Sequence, residues 1–239
     1  MIISTSDLTA VLLCGGKGQR LKPLTDAQPK PLVRLNGRPL LDYLLRYLAA
    51  VGIPRFVLCT GYKAEAIEQF IRDSFDSTWN ITCVNSGDVS MTDRLLDART
   101  RVTGPALICY GDTLANVDLA ALRACHQSSG ALATLTIYPL QSPFGIVSVD
   151  ATRRVTQFVE KPWLPYWINI GFLLCEPQAL DSLEAGSDMV AFLSSLAAAG
   201  ALHAYEHRGQ HLTVNTEKDL AEAESQMVEF FTLLDGYST

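Results

Sequence analysis

The stretch Leu8-Thr9-Ala10-Val11-Leu12-Leu13-Cys14-Gly15-Gly16-Lys17-Gly18-Gln19-Arg20-Leu21 passes from an almost wholly apolar run into a loop of glycines and cations. Apolar on both faces, residues 8–14 read as a strand buried from both sides, the pattern of a parallel sheet covered by helices. Outward from it, strands and helices alternate. Residues 39–51 carry a helical stripe of Leu40, Leu41, Leu44, Leu45 and Leu48 closed by Gly52. Strands are predicted at 55–60, 79–85 and 106–110, and helices at 63–75, 92–102 and 117–129. The second half changes character: 131–138, 146–149, 154–159 and 168–175 are strand-like and joined without helices. Helices at 177–185 and 189–199, a strand at 202–205 and a final helix at 217–234 complete the chain. One α/β domain over residues 1–239 is expected, its mostly parallel central sheet flanked by helices and continued by a mixed or antiparallel extension.

Composition narrows the function classes. The 239 residues are 48% hydrophobic and 18% charged, enough apolar content for a sizeable core and too much for global disorder. A formal net charge of −6 argues against non-specific nucleic-acid binding and against adhesion to anionic membranes. No apolar run approaches the ~18 residues of a membrane span, and residues 1–7 lack the basic start and apolar stretch of a secretory signal. A cytoplasmic location is expected. The six cysteines are far apart with no C-x-x-C pair, which leaves neither a zinc knuckle nor a dithiol motif. Most lie inside apolar runs, where a thiol behaves as a small hydrophobe.

The distribution of charge says more than its sum. Residues 15–38 hold six of the 19 basic residues (Lys17, Arg20, Lys22, Lys30, Arg34 and Arg38) and a single acid, Asp26. Ligands of open parallel sheets bind at the carboxyl ends of the strands. Glycines there admit backbone N–H groups close to an anion, and cations neutralise it. A polyphosphate is the expected ligand, against the plain alternative of a solvated basic loop. The loop is not a Walker A motif, since Gly18 occupies the Ser/Thr place. Nor is it a dinucleotide fingerprint, because Leu21 stands where the third glycine belongs. No G-x-S-x-G elbow occurs anywhere in the chain.

Residues 13–21 followed by Pro29-Lys30-Pro31-Leu32 resemble the signature G-G-x-G-x-R-L…P-K-P of sugar-1-phosphate nucleotidyltransferases. Tyr110-Gly111-Asp112-Thr113, Phe158-Val159-Glu160-Lys161-Pro162 and Ile168-Asn169-Ile170-Gly171-Phe172 match further family motifs in the right order. Within the family, Ser86-Gly87-Asp88-Val89-Ser90-Met91-Thr92-Asp93-Arg94 is most similar to the T-G-x-x-T-M-T-G-G-R stretch of glucose-1-phosphate cytidylyltransferases. It departs at Asp93, where a glycine pair is expected.

The resemblance implies a Rossmann-like domain of nucleotide-diphospho-sugar transferase type. Its nucleotide half spans about residues 1–115 and its sugar-phosphate half about 116–239. It also implies attack of a sugar 1-phosphate on the α-phosphorus of a nucleoside triphosphate, with CTP favoured, magnesium as cofactor and pyrophosphate released. Arg20, Lys30 and Asp112 are the implied catalytic residues. Cys14, Gly15, Gly16, Lys17, Gly18, Thr92, Arg94 and Gly111 would bind the nucleotide, with Thr92 and Arg94 at the base. Gly145, Glu160, Lys161 and Asn169 would take the sugar phosphate, and Asp112 with Asn215 the metal. Many relatives have an aspartate where Asn215 stands, so the site carries one negative charge fewer. Ile170 replaces a small residue and is expected to narrow the acceptor pocket. Relatives are commonly homo-oligomeric.

Two patterns carry less. His203, His207 and His211 are spaced by four, yet Tyr205, Gly209 and a Thr-Val strand make one continuous helix improbable, so zinc is not expected. Trp163 and Trp167 flank Pro165, which suggests a loop packed over the core rather than a stacking platform. Two alternatives remain open. One is the same reaction with UTP, dTTP or GTP and another acceptor, such as a heptose 1-phosphate. The other is a non-catalytic nucleotide-sugar-binding regulatory subunit.

Overall fold

A computed structural model describes residues 5–227. In chain order the elements are β1 (Thr9–Leu13), α1 (Leu24–Ala27), β2 (Arg34–Leu35), β3 (Arg38–Pro39), α2 (Leu40–Ala50), β4 (Arg55–Thr60), α3 (Ala64–Ser74) and β5 (Asn80–Asn85). They continue with α4 (Met91–Ala98), β6 (Ala106–Tyr110), β7 (Thr113–Ala115), α5 (Leu119–Ser129), β8 (Ala133–Gln141), β9 (Ile146–Val149) and β10 (Val155–Val159). The last are β11 (Trp163–Cys175), α6 (Pro177–Asp181), α7 (Met189–Ala198), β12 (Leu202–Glu206), β13 (His211–Thr213) and α8 (Glu217–Gln226). The helix expected over 217–234 is therefore met as far as Gln226, and its part beyond 227 lies outside the described residues.

Seven strands form the central sheet in the order β12-β8-β11-β6-β1-β4-β5. β6, β1, β4 and β5 pair in parallel, as do β12 and β8. β11 is antiparallel to both of its neighbours. This is the expected single α/β domain with a mostly parallel sheet. Period-two alternation divides each central strand between two apolar layers. Ala10 and Leu12, Phe56 and Leu58, Leu107 and Cys109, and Phe172 and Leu174 face one layer with α2, α3, α5 and α8. Val11, Val57, Ile108 and Leu173 face the other, with α4, α6 and α7.

Helix starts are set by side chains that satisfy exposed backbone donors. Ser90, Asp118 and Asp188 cap α4, α5 and α7, and Thr216 with Asp219 forms a full capping box on α8.

The Trp163–Trp167 segment is not a loop over the core. It is the first part of β11, with both tryptophans exposed. Pro165 is accommodated at a register shift between Trp163 and Trp167. Short pairing of β7 with β13 is a further element that the sequence pattern did not announce.

Candidate nucleotide site

Where β1 ends, the chain turns through residues 14–20 along one wall of a cavity of about 620 Å³. The same cavity is lined by Lys30, Pro31, Asp88, Val89, Met91, Arg94 and residues 110–112. It thus brings together the glycine loop, the end of β6 and the start of α4, at the carboxyl ends of β1 and β6.

The glycines are required for different reasons. A Cβ on Gly15 or on Gly61 would overlap the Arg94 guanidinium, which is inserted between the two backbones. Gly16 has nothing within 4 Å of the place where its Cβ would stand, so its backbone lies open to the cavity. Gly18 is left-handed at φ 60°, a conformation that favours glycine. The Gly111 N–H donates to the Leu13 carbonyl at 3.1 Å, and a Cβ there would stand 2.9 Å from Cys14 Sγ. Cys14 therefore offers backbone to the cavity wall, while its thiol is buried. Desolvation holds that thiol well above the ordinary cysteine pKa.

Arg94 is buried, with 4% of its surface exposed. It donates through Nη1 to the Thr60 carbonyl and through Nη2 to the Val89 carbonyl, both at 3.0 Å. Thr92 is placed differently. It is fully buried, and its hydroxyl donates to the Ser187 carbonyl at 2.5 Å, away from the cavity lining. Asp93, the departure from the glycine pair, ties the start of α4 to a distant loop. Its carboxylate accepts from Gly186 N–H at 2.8 Å and from Ser90 Oγ at 2.8 Å, and these bonds hold its pKa below the ordinary value.

The cations of the loop have distinct partners. Lys17 pairs with Asp88 at 2.6 Å across the cavity wall. Arg20 makes no ion pair among the described residues. Lys30, held between Pro29 and Pro31 in a 3-10 turn, sends its ammonium to Asp112 Oδ2 at 2.6 Å and to Asn215 Oδ1 at 3.0 Å. Pairing of β7 with β13 brings the last of these residues to the first two. Thr213 lies opposite Thr113, and Val214 N–H donates to the Asp112 carbonyl at 3.4 Å. The Asp112 and Asn215 oxygens thus converge on a single positive charge. Such a donor set, one carboxylate and one neutral amide oxygen, fits a hard cation such as magnesium that retains further oxygen ligands.

The residues expected at the acceptor lie outside the cavity lining. Asn169 comes nearest. Its Oδ1 accepts from Gly171 N–H at 2.7 Å, and its Nδ2 stands 3.5 Å from the hydroxyl of Tyr110, a cavity residue. Gly171, at φ 77°, leaves room for the Tyr110 ring, which a Cβ would approach to 2.6 Å. Ile170 does not narrow a pocket: it is 2% exposed and belongs to the main core, because alternation along β11 turns it away from Asn169. Glu160 and Lys161 are exposed at the end of β10, with Lys161 left-handed at φ 46°. A Cβ on Gly145 would stand 2.5 Å from the Phe158 ring and 2.9 Å from Glu160 Oε2, so the bare backbone lets the two strands of this hairpin close up.

Tyr110, Asp88, Val89 and Met91 line the cavity without having been singled out as site residues. Tyr110 had a readable signal, since it begins the Gly-Asp motif. The histidines lie on no common helix. His203 is in β12, His211 is in β13, and His207 between them joins His211 against the Tyr138 ring. Among the described residues no helix is long and apolar enough to cross a membrane.

Residues 9–189 match the family model described as nucleotidyl transferase. The chain is 34% identical over 240 residues to the "Probable glucose-1-phosphate cytidylyltransferase" of Bacillus subtilis (strain 168), covering 90% of this chain and 94% of that one. It is 33% identical over 199 residues to the mannose-1-phosphate guanylyltransferase of Mycobacterium tuberculosis (strain ATCC 25618 / H37Rv), covering 78% and 54%. Among solved structures, HddC from Yersinia pseudotuberculosis superposes with a TM-score of 0.73 at 21% identity, over 92% of this chain and 99% of that one, and so shares the fold. With the glycine loop, the lysine between prolines and the Gly-Asp motif drawn to one cavity, the chain belongs to the nucleotidyl transferase family.

Proposed function

We propose that the protein transfers a cytidylyl group from CTP to a sugar 1-phosphate, giving a CDP-sugar and pyrophosphate. The observation that carries this is the meeting of Lys30, Asp112 and Asn215 at the wall of the glycine-loop cavity. The similarity to a cytidylyltransferase over nearly the whole chain supports it. In this reading the nucleotide half spans about residues 1–115 and the acceptor half about 116–239.

An acceptor phosphate oxygen attacks the α-phosphorus, the bond from that phosphorus to the α–β bridging oxygen breaks, and pyrophosphate leaves with the electron pair. Such a transfer depends on in-line positioning of two mutually repelling anions and on stabilising charge at the leaving group. Gly15, Gly16, Lys17, Gly18 and Gly111 lie along the nucleotide, with Gly16 giving the closest backbone approach. Arg20 makes charge-assisted hydrogen bonds to the leaving pyrophosphate, and Lys30 supplies a point charge at the α-phosphate. Asp112 and Asn215 would hold magnesium, which supplies charge neutralisation at phosphate oxygens when bound. Lys161 neutralises the acceptor phosphate, while Glu160, Asn169 and the chain at Gly145 meet its hydroxyls.

Arg94 favours cytosine through the N–H groups of its guanidinium that its bonds to the Thr60 and Val89 carbonyls leave over at the cavity wall. A guanidinium donates only, and cytosine offers adjacent acceptors at O2 and N3, whereas uracil and thymine carry a donor at N3. A mismatched base leaves buried groups unpaired, which discriminates strongly. Guanine also offers paired acceptors, at O6 and N7. GTP is therefore the second reading, favoured by the guanylyltransferase similarity. In this reading the protein works in the cytoplasm, as its composition suggests, and a homo-oligomeric state follows from the family resemblance alone.

Pyrophosphate release is to be measured with CTP, GTP, UTP and dTTP against a panel of sugar 1-phosphates. A preference in kcat/KM of about tenfold or more for CTP is expected, the lower end of what one unpaired buried group costs. A preference for UTP or dTTP overturns the base assignment. Absence of release with every pair overturns the enzymatic reading in favour of a regulatory subunit.

A further inference from the structure

The Lys30 ammonium and a divalent cation require the same two oxygens. Asp112 Oδ2 and Asn215 Oδ1 lie 2.6 and 3.0 Å from Lys30 Nζ, and the ammonium is only slightly exposed, at 11% for the side chain. Asn215 is neutral, so the three groups sum to no net charge, and the ammonium offsets the pull of the carboxylate on an approaching divalent ion. Among the described residues no group of three or more His, Cys, Asp or Glu side chains gathers here to change that balance. The nearby Asp219 carboxylate already accepts the backbone N–H groups of Asn215 and Thr216, as part of the α8 cap.

The lysine stem is placed so that its head has a second destination. Its Cβ and Cδ lie 3.0 and 3.5 Å from the place where a Gly18 Cβ would stand, so the stem runs along the glycine loop. Pro29 and Pro31 fix its backbone, leaving rotation of the four-carbon stem as its freedom.

We propose that Lys30 is the resident cation of the Asp112/Asn215 pair, and that a divalent metal gains these oxygens only as a triphosphate draws the ammonium towards the glycine loop. Nucleotide and metal are then linked ligands: each favours the other by the same factor, because both favour the displaced lysine. The substitution of asparagine for aspartate at 215 strengthens the linkage, since a second carboxylate would attract metal whether or not the lysine had moved. The inference rests on the assignment of a nucleotide and a metal to this cavity.

The test is binding of Mn2+ alone to the full chain without nucleotide, followed by electron paramagnetic resonance. Lys30→Met keeps the stem along Gly18 and removes the charge, and it is expected to bind Mn2+ at least tenfold more tightly than the wild type. Lys30→Arg is expected to bind as weakly as the wild type, and adding Asp112→Asn to Lys30→Met is expected to abolish the gain. If Lys30→Met does not melt cooperatively, Lys30→Gln carries the same expectation. Equal or weaker Mn2+ binding by the uncharged variants overturns the proposal. Calorimetric titration of the wild type with CTP, GTP, UTP and dTTP in EDTA separates that failure from a failure of the nucleotide assignment: binding of any of them keeps the assignment while the lysine proposal falls, and no binding by all four removes both.

Discussion

Around the glycine loop, side chains distant in sequence converge: Arg94 fills the space left by Gly15 and Gly61, and Lys30 reaches Asp112 and Asn215. The β9–β10 hairpin is built in the opposite way. Every residue of both strands is exposed, among them Val147, Val149, Val155 and Phe158, and Gly145, just before β9, sits close to Phe158 and Glu160. A triphosphate presents the same charge and shape whatever the sugar, so its binding surface can be fixed by the fold. An acceptor varies, and of the residues proposed for it Gly145, Glu160 and Lys161 flank a ribbon that owes little to the core, while Asn169 stands on β11. A two-stranded ribbon is at best marginally stable by itself. The hairpin can therefore change sequence without disturbing the nucleotide wall.

Three experiments break or sharpen this contrast. Asp112→Ala is expected to lower kcat by at least about a hundredfold, the scale of losing one preorganised electrostatic partner, with an unchanged far-ultraviolet spectrum. A change under threefold would remove Asp112 from the chemistry and, with it, the functional side of the contrast. Next, Gly15→Ala is expected to cost about 1–3 kcal/mol in urea unfolding, because its methyl group overlaps the Arg94 guanidinium in a filled space. Gly16→Ala faces open space and is expected to stay within about 0.5 kcal/mol of the wild type, while weakening CTP binding. Equal stability losses at both glycines would show that the wall is not differentiated as described. The smallest effect belongs to the hairpin. Phe158 is 64% exposed, and Phe158→Ser is expected to shift unfolding by no more than about 0.5 kcal/mol. A loss above about 1.5 kcal/mol would mean that the hairpin supports the core after all.

Much of this was legible in the sequence, for reasons that differ by region. β4 and β6 fall where period and apolar runs put them, because strands buried between helices need continuous apolar sequence. The glycine loop was readable because a polyphosphate site concentrates glycine and cations in one segment. What escaped depends on distant partners. Nothing near Gly15 announces Arg94, and the three-residue strands β7 and β13 are too short to show a pattern. Ile170 was misplaced by comparing it with a motif residue by residue. Alternation along β11, with Asn169 and Gly171 on one side, turns it into the core. Trp163 and Trp167 were misplaced because a proline between two aromatics resembles a loop. That part of β11 runs beyond its pairing with β6, and a register shift against β8 lets it carry the proline.

The β7–β13 ladder has a consequence for how the protein is made. Lys30 lies 82 positions from Asp112 and 185 from Asn215, while the last strand of the central sheet ends at Glu206. A nascent chain that has just released Glu206 can complete all seven strands, yet it lacks the segment that carries Asn215 to Lys30. All strands of the central sheet thus precede in sequence the segment that completes the cation pair. A C-terminal truncation between these positions is a tool for isolating the sheet from the cation pair.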